Sequence, residues 1–125
     1  MAERIFRKHK PEYPESVWID PSATVIGNVV LGENVSIWPQ AVIRGDVNSI
    51  RIGASTNIQD GAVLHCTHDS PYMPGGFALE IGERATIGHR ACLHGCKIGD
   101  DVLVGIGSIL LDGVVVENQV MIGAG

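Results

Sequence analysis

Residues 81–110 read IGERATIGHRACLHGCKIGDDVLVGIGSIL. A large aliphatic residue returns at Ile81, Ile87, Leu93, Ile98, Val104 and Leu110, in steps of six with a single step of five. A second mark, a small or β-branched residue, falls four places after most of them, at Ala85, Ala91, Val102 and Ser108. Neither the 3.6-residue period of a helix nor the alternation of a long strand produces a step of six. A strand of about two to four residues followed by a tight turn does. Three such hexads close one triangular coil with the large residue pointing inward, and coils stack at the strand spacing of roughly 4.8 Å.

The same two marks extend in both directions. Toward the N-terminus the inward residue recurs at Leu31, Ile37 and Ile43, then at Ile52, Ile58 and Leu64; toward the C-terminus it recurs at Val116 and Ile122. The small mark follows at Val35, Ala41, Val47, Thr56, Ala62, Val114 and Val120. The pattern resembles the hexapeptide-repeat proteins, whose fold is a left-handed parallel β-helix; the hand comes from the resemblance, not from the spacing. The expected fold class is therefore all-β, with about three hexads per coil. Residues 1–16 are expected to form an N-terminal arm, and 17–125 the β-helix domain with an inserted loop at about 66–79.

The period breaks in four places. Ile26 to Leu31 and Leu93 to Ile98 are five residues, Ile43 to Ile52 is nine, and Leu64 to Ile81 is seventeen. In a solenoid, breaks are where the chain leaves the core, often to build a binding face. The longest, CTHDSPYMPGGFALE (66–80), carries Pro71, Pro74, Gly75 and Gly76 and is expected to be an exposed loop.

Composition narrows the function. A formal net charge of −5 argues against nucleic acid as the main partner. No apolar run is long enough to span a membrane, and the N-terminus lacks the apolar core of a secretion signal, so the expected location is cytoplasmic. Three cysteines, an odd number, in a reducing compartment are expected to be free thiols or metal neighbours rather than disulfides. The basic run Arg4, Arg7, Lys8, Lys10 is expected to be a mobile, solvated arm.

Counting faces places the histidines. With the hexads at 31, 37 and 43 as the first, second and third sides of a coil, the third sides become 43, 64, 93 and 110. The residue after each inward one is then Arg44, His65 and His94, stacked at one corner. His65 and His94 come about 5 Å apart at the backbone, a spacing that suits two imidazoles sharing one metal. His89 lies on the second side, above Asp60, and does not reach that corner in its own chain. A second copy can supply it, and a threefold axis closes such a contact into a ring. Cys92 and Cys96 flank His94; a Cys-x-His-x-Cys chelate is the sharp alternative to packing, and Cys66 stays open.

With IWPQAVIRGDV (37–47), TNIQDGAVLH (56–65), IGHRACLHG (87–95) and VGIGSILLDG (104–113) in view, the chain resembles the gamma-class carbonic anhydrases and their bacterial relatives. The resemblance implies a homotrimer acting on CO2 and bicarbonate. His65 and His94 of one subunit and His89 of the next hold Zn²⁺, with Fe²⁺ or Co²⁺ as alternatives. Arg44 binds bicarbonate and pairs with Asp60 across the interface, which Asp46 helps to order. Gln59 orients the attacking hydroxide, and Asn57 shapes the CO2 pocket. Relative to the archaeal enzymes, Val47 replaces a Glu, and the acidic shuttle loop is gone. His68, Asp69 and Tyr72 are the candidate proton carriers in its place, His68 foremost by its intrinsic pKa. The resembling proteins continue past Gly125 with more β-helix and a C-terminal helix, so this helix is expected to be absent from the chain. The competing readings are a non-catalytic metal-binding trimeric scaffold and a hexapeptide acyltransferase or thioesterase.

Overall fold

The aliphatic marks of the repeat converge on one core. Leu31, Ile37, Ile43, Ile58, Leu64, Ile87 and Leu93 are buried, and the small marks Ala41, Thr56, Ala62, Ala85 and Ala91 fill the spaces between them. A computed structural model describes residues 2–125, and among these residues every regular element is a β-strand. No helix among the described residues is long and apolar enough to cross a membrane.

The strands stack in parallel on three faces. One face runs β2 (Trp18–Ile19), β4 (Ser36–Ile37), β6 (Asn57–Ile58), β9 (Thr86–Ile87), β12 (Leu103–Val104) and β15 (Met121–Ile122). A second holds the first part of β3 (Thr24–Leu31) and of β5 (Val42–Ile52), then β7 (Val63–His65), β10 (Cys92–His94) and β13 (Ile109–Leu110). The last halves of β3 and β5 turn the corner onto the remaining face, followed by β8 (Leu79–Ile81), β11 (Lys97–Ile98) and β14 (Val115–Val116). The register matches the face count: Ile43 sits on Leu64, Leu64 on Leu93 and Leu93 on Leu110. The nine- and seventeen-residue gaps therefore bulge outward without changing the order of sides.

The turns are what make the step six. Three residues past the inward position, Asn34, Gln40, Ser55, Arg84, Arg90, Asp101 and Gln119 all adopt φ between 53 and 61°. A left-handed conformation costs a non-glycine residue roughly 1–2 kcal/mol. Here it aims the backbone N–H at the coil before it: Ser55 donates to the Glu33 carbonyl, Arg84 to Ala54, Asp101 to Glu83 and Gln119 to Asp100, all at 2.8–2.9 Å. At the same corner the coils nearly touch. A Cβ on Gly53 would lie 2.5 Å from the Gly82 carbonyl carbon, so a side chain there pries two coils apart.

Two expectations need correction. Val47 was counted among the small marks of the repeat, but unlike Ala41, Thr56 and Ala62 it is not buried: it is 43% exposed, because it belongs to the inserted bulge of β5. The N-terminal arm is paired with the fold rather than projecting freely. β1 (Ala2–Arg4) pairs in parallel with β3, and Glu12 bridges to Val30, so the arm covers the otherwise open edge of the first coil. Glu3 ties the arm together, accepting a 2.6 Å hydrogen bond from the Tyr13 hydroxyl and lying 3.4 Å from Lys10 Nζ.

The Glu3 hydrogen bond, followed by burial, pushes the Tyr13 phenol up from 10.0 to about 12. A raised folded value means the protonated phenol is the stabilising form. Its contribution is complete below about pH 10 and disappears as pH rises toward 12. In a Tyr72→Phe variant, which leaves Tyr13 as the sole tyrosine, tyrosinate absorbance is expected to have its midpoint near 12. A midpoint near 10 shows that the arm does not hold this contact.

Candidate metal centre

The bulge after Ile43 sets up the centre. Its extra residues carry Asp46 outward and across to the next coil, where its Oδ1 lies 2.8 Å from His65 Nε2. Arg44, 44% exposed, pairs with the other Asp46 oxygen. His65 and His94 are partners in register on β7 and β10, with ring centroids 4.9 Å apart and the rings edge to face. His65 Nδ1 and His94 Nε2 point at each other across 3.0 Å. On its far side His94 Nδ1 lies 2.7 Å from Asp112 Oδ1, and Thr67 Oγ1 donates to Asp112 Oδ2 at 2.6 Å.

The donor chemistry of this chain of groups is decisive. A neutral imidazole carries one N–H and one lone pair. An ionised carboxylate only accepts, so a neutral His65 beside Asp46 and a neutral His94 beside Asp112 would each turn the N–H to the carboxylate. The two nitrogens that remain both present lone pairs to the same gap. Two facing lone pairs repel unless a proton or a cation sits against them. Two nitrogens on a tetrahedral ion with bonds of about 2.0–2.1 Å lie about 3.3 Å apart, close to the observed spacing. The residues present therefore fit a metal, in the carboxylate–histidine–metal arrangement.

Both carboxylates are poised to stay ionised. Partial burial pushes the Asp46 carboxyl up, but hydrogen bonds from His65 and Arg44 outweigh it and hold it below the usual range. Asp112 is held down in the same way, against its own desolvation, by Thr67 and His94. Asp46, His65 and Cys66 also bring one ligand atom each within 4.8 Å of one another. Burial pushes the Cys66 thiol up, however, and its Sγ rests 3.9 Å from the Arg44 carbonyl, as a packed side chain does. The Cys92/Cys96 chelate does not form. Cys92 faces outward on β10 while Cys96 is buried in the core, where desolvation raises its thiol to about 11.

The remaining expected site residues occupy a different corner. His89 Nδ1 lies 3.2 Å from Asp60 Oδ1, as their stacking required. Gln59 and His89 line one groove with Leu103, Ile106 and Met121. Asn57 donates to Ser36 Oγ at 2.8 Å on the same face. Within one chain, Arg44 thus pairs with Asp46, and Asp60 pairs with His89. The structure gathers Arg44, Asp46, His65 and His94 at one corner and Asn57, Gln59, Asp60 and His89 at another.

The inserted loop is a compact hairpin. Thr67 and Phe77 exchange two backbone hydrogen bonds, and Asn48 Nδ2 donates to the Thr67 and Gly75 carbonyls. Of the candidate proton carriers, Asp69 accepts from the Gly75 N–H at 2.6 Å, His68 is exposed beside Thr67, and Tyr72 at the tip is 95% exposed. Sequence reasoning missed Asp112 and Thr67. The signal for Asp112 was its place two residues after inward Leu110, directly over Gly95, where the coil is one residue short.

Comparison with known proteins agrees with this fold. Residues 15–45 match the model for the bacterial transferase hexapeptide (six repeats). The chain is 58% identical over 109 residues to protein YrdA of Escherichia coli, covering 87% of this chain and 59% of that protein. It is 46% identical over 117 residues to the mitochondrial gamma carbonic anhydrase 2 of Arabidopsis thaliana, covering 92% of this chain and 41% of the plant protein. The chain thus spans about half the length of these relatives. Among solved structures, a hexapeptide transferase family protein from Anaplasma phagocytophilum superposes with a TM-score of 0.87 at 37% identity, covering 99% of this chain and 69% of that one. The chain belongs to the gamma-carbonic-anhydrase-like family of hexapeptide-repeat proteins.

Proposed function

We propose that this chain carries the metal centre of a reversible CO2 hydratase that works as a homotrimer in the cytoplasm. The observation that carries the reading is the pair of ring nitrogens, His65 Nδ1 and His94 Nε2, facing each other with their outer nitrogens held by carboxylates. His65 and His94 would hold the ion with His89 of a neighbouring copy, which the register keeps away from that corner in its own chain. Zn²⁺ suits an all-imidazole set, and Fe²⁺ or Co²⁺ are compatible with it. The ion supplies Lewis acidity that brings the ionisation of water toward neutral pH.

The other roles fall to this chain's own residues. Arg44, exposed and steadied by Asp46, presents a planar fork matched to bicarbonate. Asp46 fixes the His65 ring. Gln59 and Asn57, on the face that carries His89, would complete the pocket from the neighbouring copy, and Asp60 would order that contact. Proton release falls to the hairpin, with His68 ahead of Asp69, which is engaged with Gly75, and Tyr72 at the tip.

Stopped-flow CO2 hydration on metal-loaded protein, beside chelator-stripped protein, tests the reading. Activity that appears only with metal supports it, and His89→Ala is then expected to lower both metal content and the trimer fraction in sedimentation. No activity with Zn²⁺, Co²⁺ or anaerobic Fe²⁺ demonstrably bound overturns it in favour of a metal-binding scaffold. The match to a transferase hexapeptide model favours acyl transfer as the second reading. Metal-independent turnover of an acyl-CoA would establish that one instead.

A further inference from the structure

Four features meet at Asp112. Its Oδ1 is 2.7 Å from His94 Nδ1, and its Oδ2 receives the Thr67 hydroxyl at 2.6 Å. The Thr67 oxygen is also 3.4 Å from His94 Nδ1. The space the carboxylate occupies exists because residue 95 is glycine: a Cβ there would overlap Asp112 Oδ1. Thr67 is itself fixed, since its backbone pairs with Phe77 and its carbonyl accepts from Asn48. The hairpin base, the short corner at Gly95 and the LLDG segment are far apart in sequence, yet they converge on one nitrogen.

We propose that Asp112, steadied by Thr67, is the positioning residue that locks His94 as its Nδ1–H tautomer and so commits Nε2 to the ion. The inference rests on the reading of His94 as a ligand, but its first consequence is a property of the metal-free protein. In water a free imidazole prefers the proton on Nε2, the nitrogen that must be bare here. The Asp112 carboxylate reverses that preference and holds the ring plane. The Thr67 hydroxyl keeps the carboxylate from swinging into solvent, to which Asp112 is about one-third open.

The test is a two-bond proton–nitrogen NMR correlation on metal-free, ¹⁵N-labelled protein at about pH 8.5, two units above the ordinary imidazole value, paired with chelator competition for Zn²⁺. Wild-type His94 is expected to appear as the Nδ1–H tautomer. Asp112→Ala moves it toward Nε2–H and weakens Zn²⁺ about 10–100-fold. Asp112→Asn keeps an acceptor oxygen, so it retains the tautomer while losing part of the affinity. Thr67→Val shows a smaller loss in the same direction. A simple packing role would leave the tautomer where it is. The proposal is overturned if Asp112→Ala, folded by circular dichroism, keeps the Nδ1–H tautomer or binds Zn²⁺ within twofold of wild type. If wild type binds no Zn²⁺, the hydratase reading fails and the tautomer alone decides the role of Asp112.

Discussion

Leu93→Ala is expected to lower the unfolding free energy by about 2–5 kcal/mol, the range for truncating a buried leucine. Leu93 is wholly buried, with Leu64 in the coil on one side and Leu110 in the coil on the other. A solenoid cannot close such a gap by collapse. The coils are held at the strand spacing by their backbone ladders, so the cavity persists at close to full volume and its cost sits toward the upper part of the range. Tyr72→Ala, at the hairpin tip with 95% exposure, is the control and should stay within about 0.5 kcal/mol. Urea unfolding of the two variants checks the pair. A Leu93 variant less than 1 kcal/mol below wild type would mean that the inward column is not packed as described.

The second large effect separates holding the metal from using it. His94→Ala removes one of the facing nitrogens, and Zn²⁺ affinity is expected to fall by more than the ~100-fold ceiling seen for outer partners of a metal site. Arg44→Ala leaves every imidazole in place. Metal content is expected to stay at wild-type stoichiometry while CO2 hydration is lost, and Arg44→Lys should not restore it, because an ammonium lacks the two-pronged fork. Metal analysis and stopped-flow rates on the same samples check both. Equal metal loss in the two variants would reassign Arg44 from anion binding to maintenance of Asp46 and the His65 ring.

What the sequence disclosed and what it hid divide along a physical line. The register of the three faces was legible because the order of sides resumes after every interruption: Leu31, Ile52, Ile81, Ile98 and Val116 form one column although the gaps of nine and seventeen residues end at Ile52 and Ile81. That register alone stacked His65 on His94 and His89 over Asp60. The partners of these rings were not legible. Asp46 was given to an interface, and Asp112 and Thr67 were passed over, because their contacts cross from coil to coil through side chains and follow no period. The arm was misjudged for a related reason. Its basic residues are conspicuous in sequence, whereas the pairing that orders it uses backbone groups of β1 and the half-buried pair Glu3 and Tyr13. Val47 fell into the small-residue column by arithmetic alone, since a three-residue insertion restores the count without restoring the geometry.

The hairpin between Thr67 and Phe77 leaves the coil and returns to it at the same place, closed by its own pair of backbone hydrogen bonds. The chain re-enters at Leu79, already in step with Ile50. The coil stack is therefore indifferent to what the hairpin carries at its far end. A reporter peptide spliced between Tyr72 and Met73 travels as cargo outside the repeat, whereas one spliced between Ile98 and Val104 has to leave from a corner whose backbone is bonded to the coils on both sides, Asp101 N–H to Glu83 and Gln119 N–H to Asp100. The molecule behaves as a ratchet with one free pawl, and that pawl is the natural place to attach anything the protein is asked to carry.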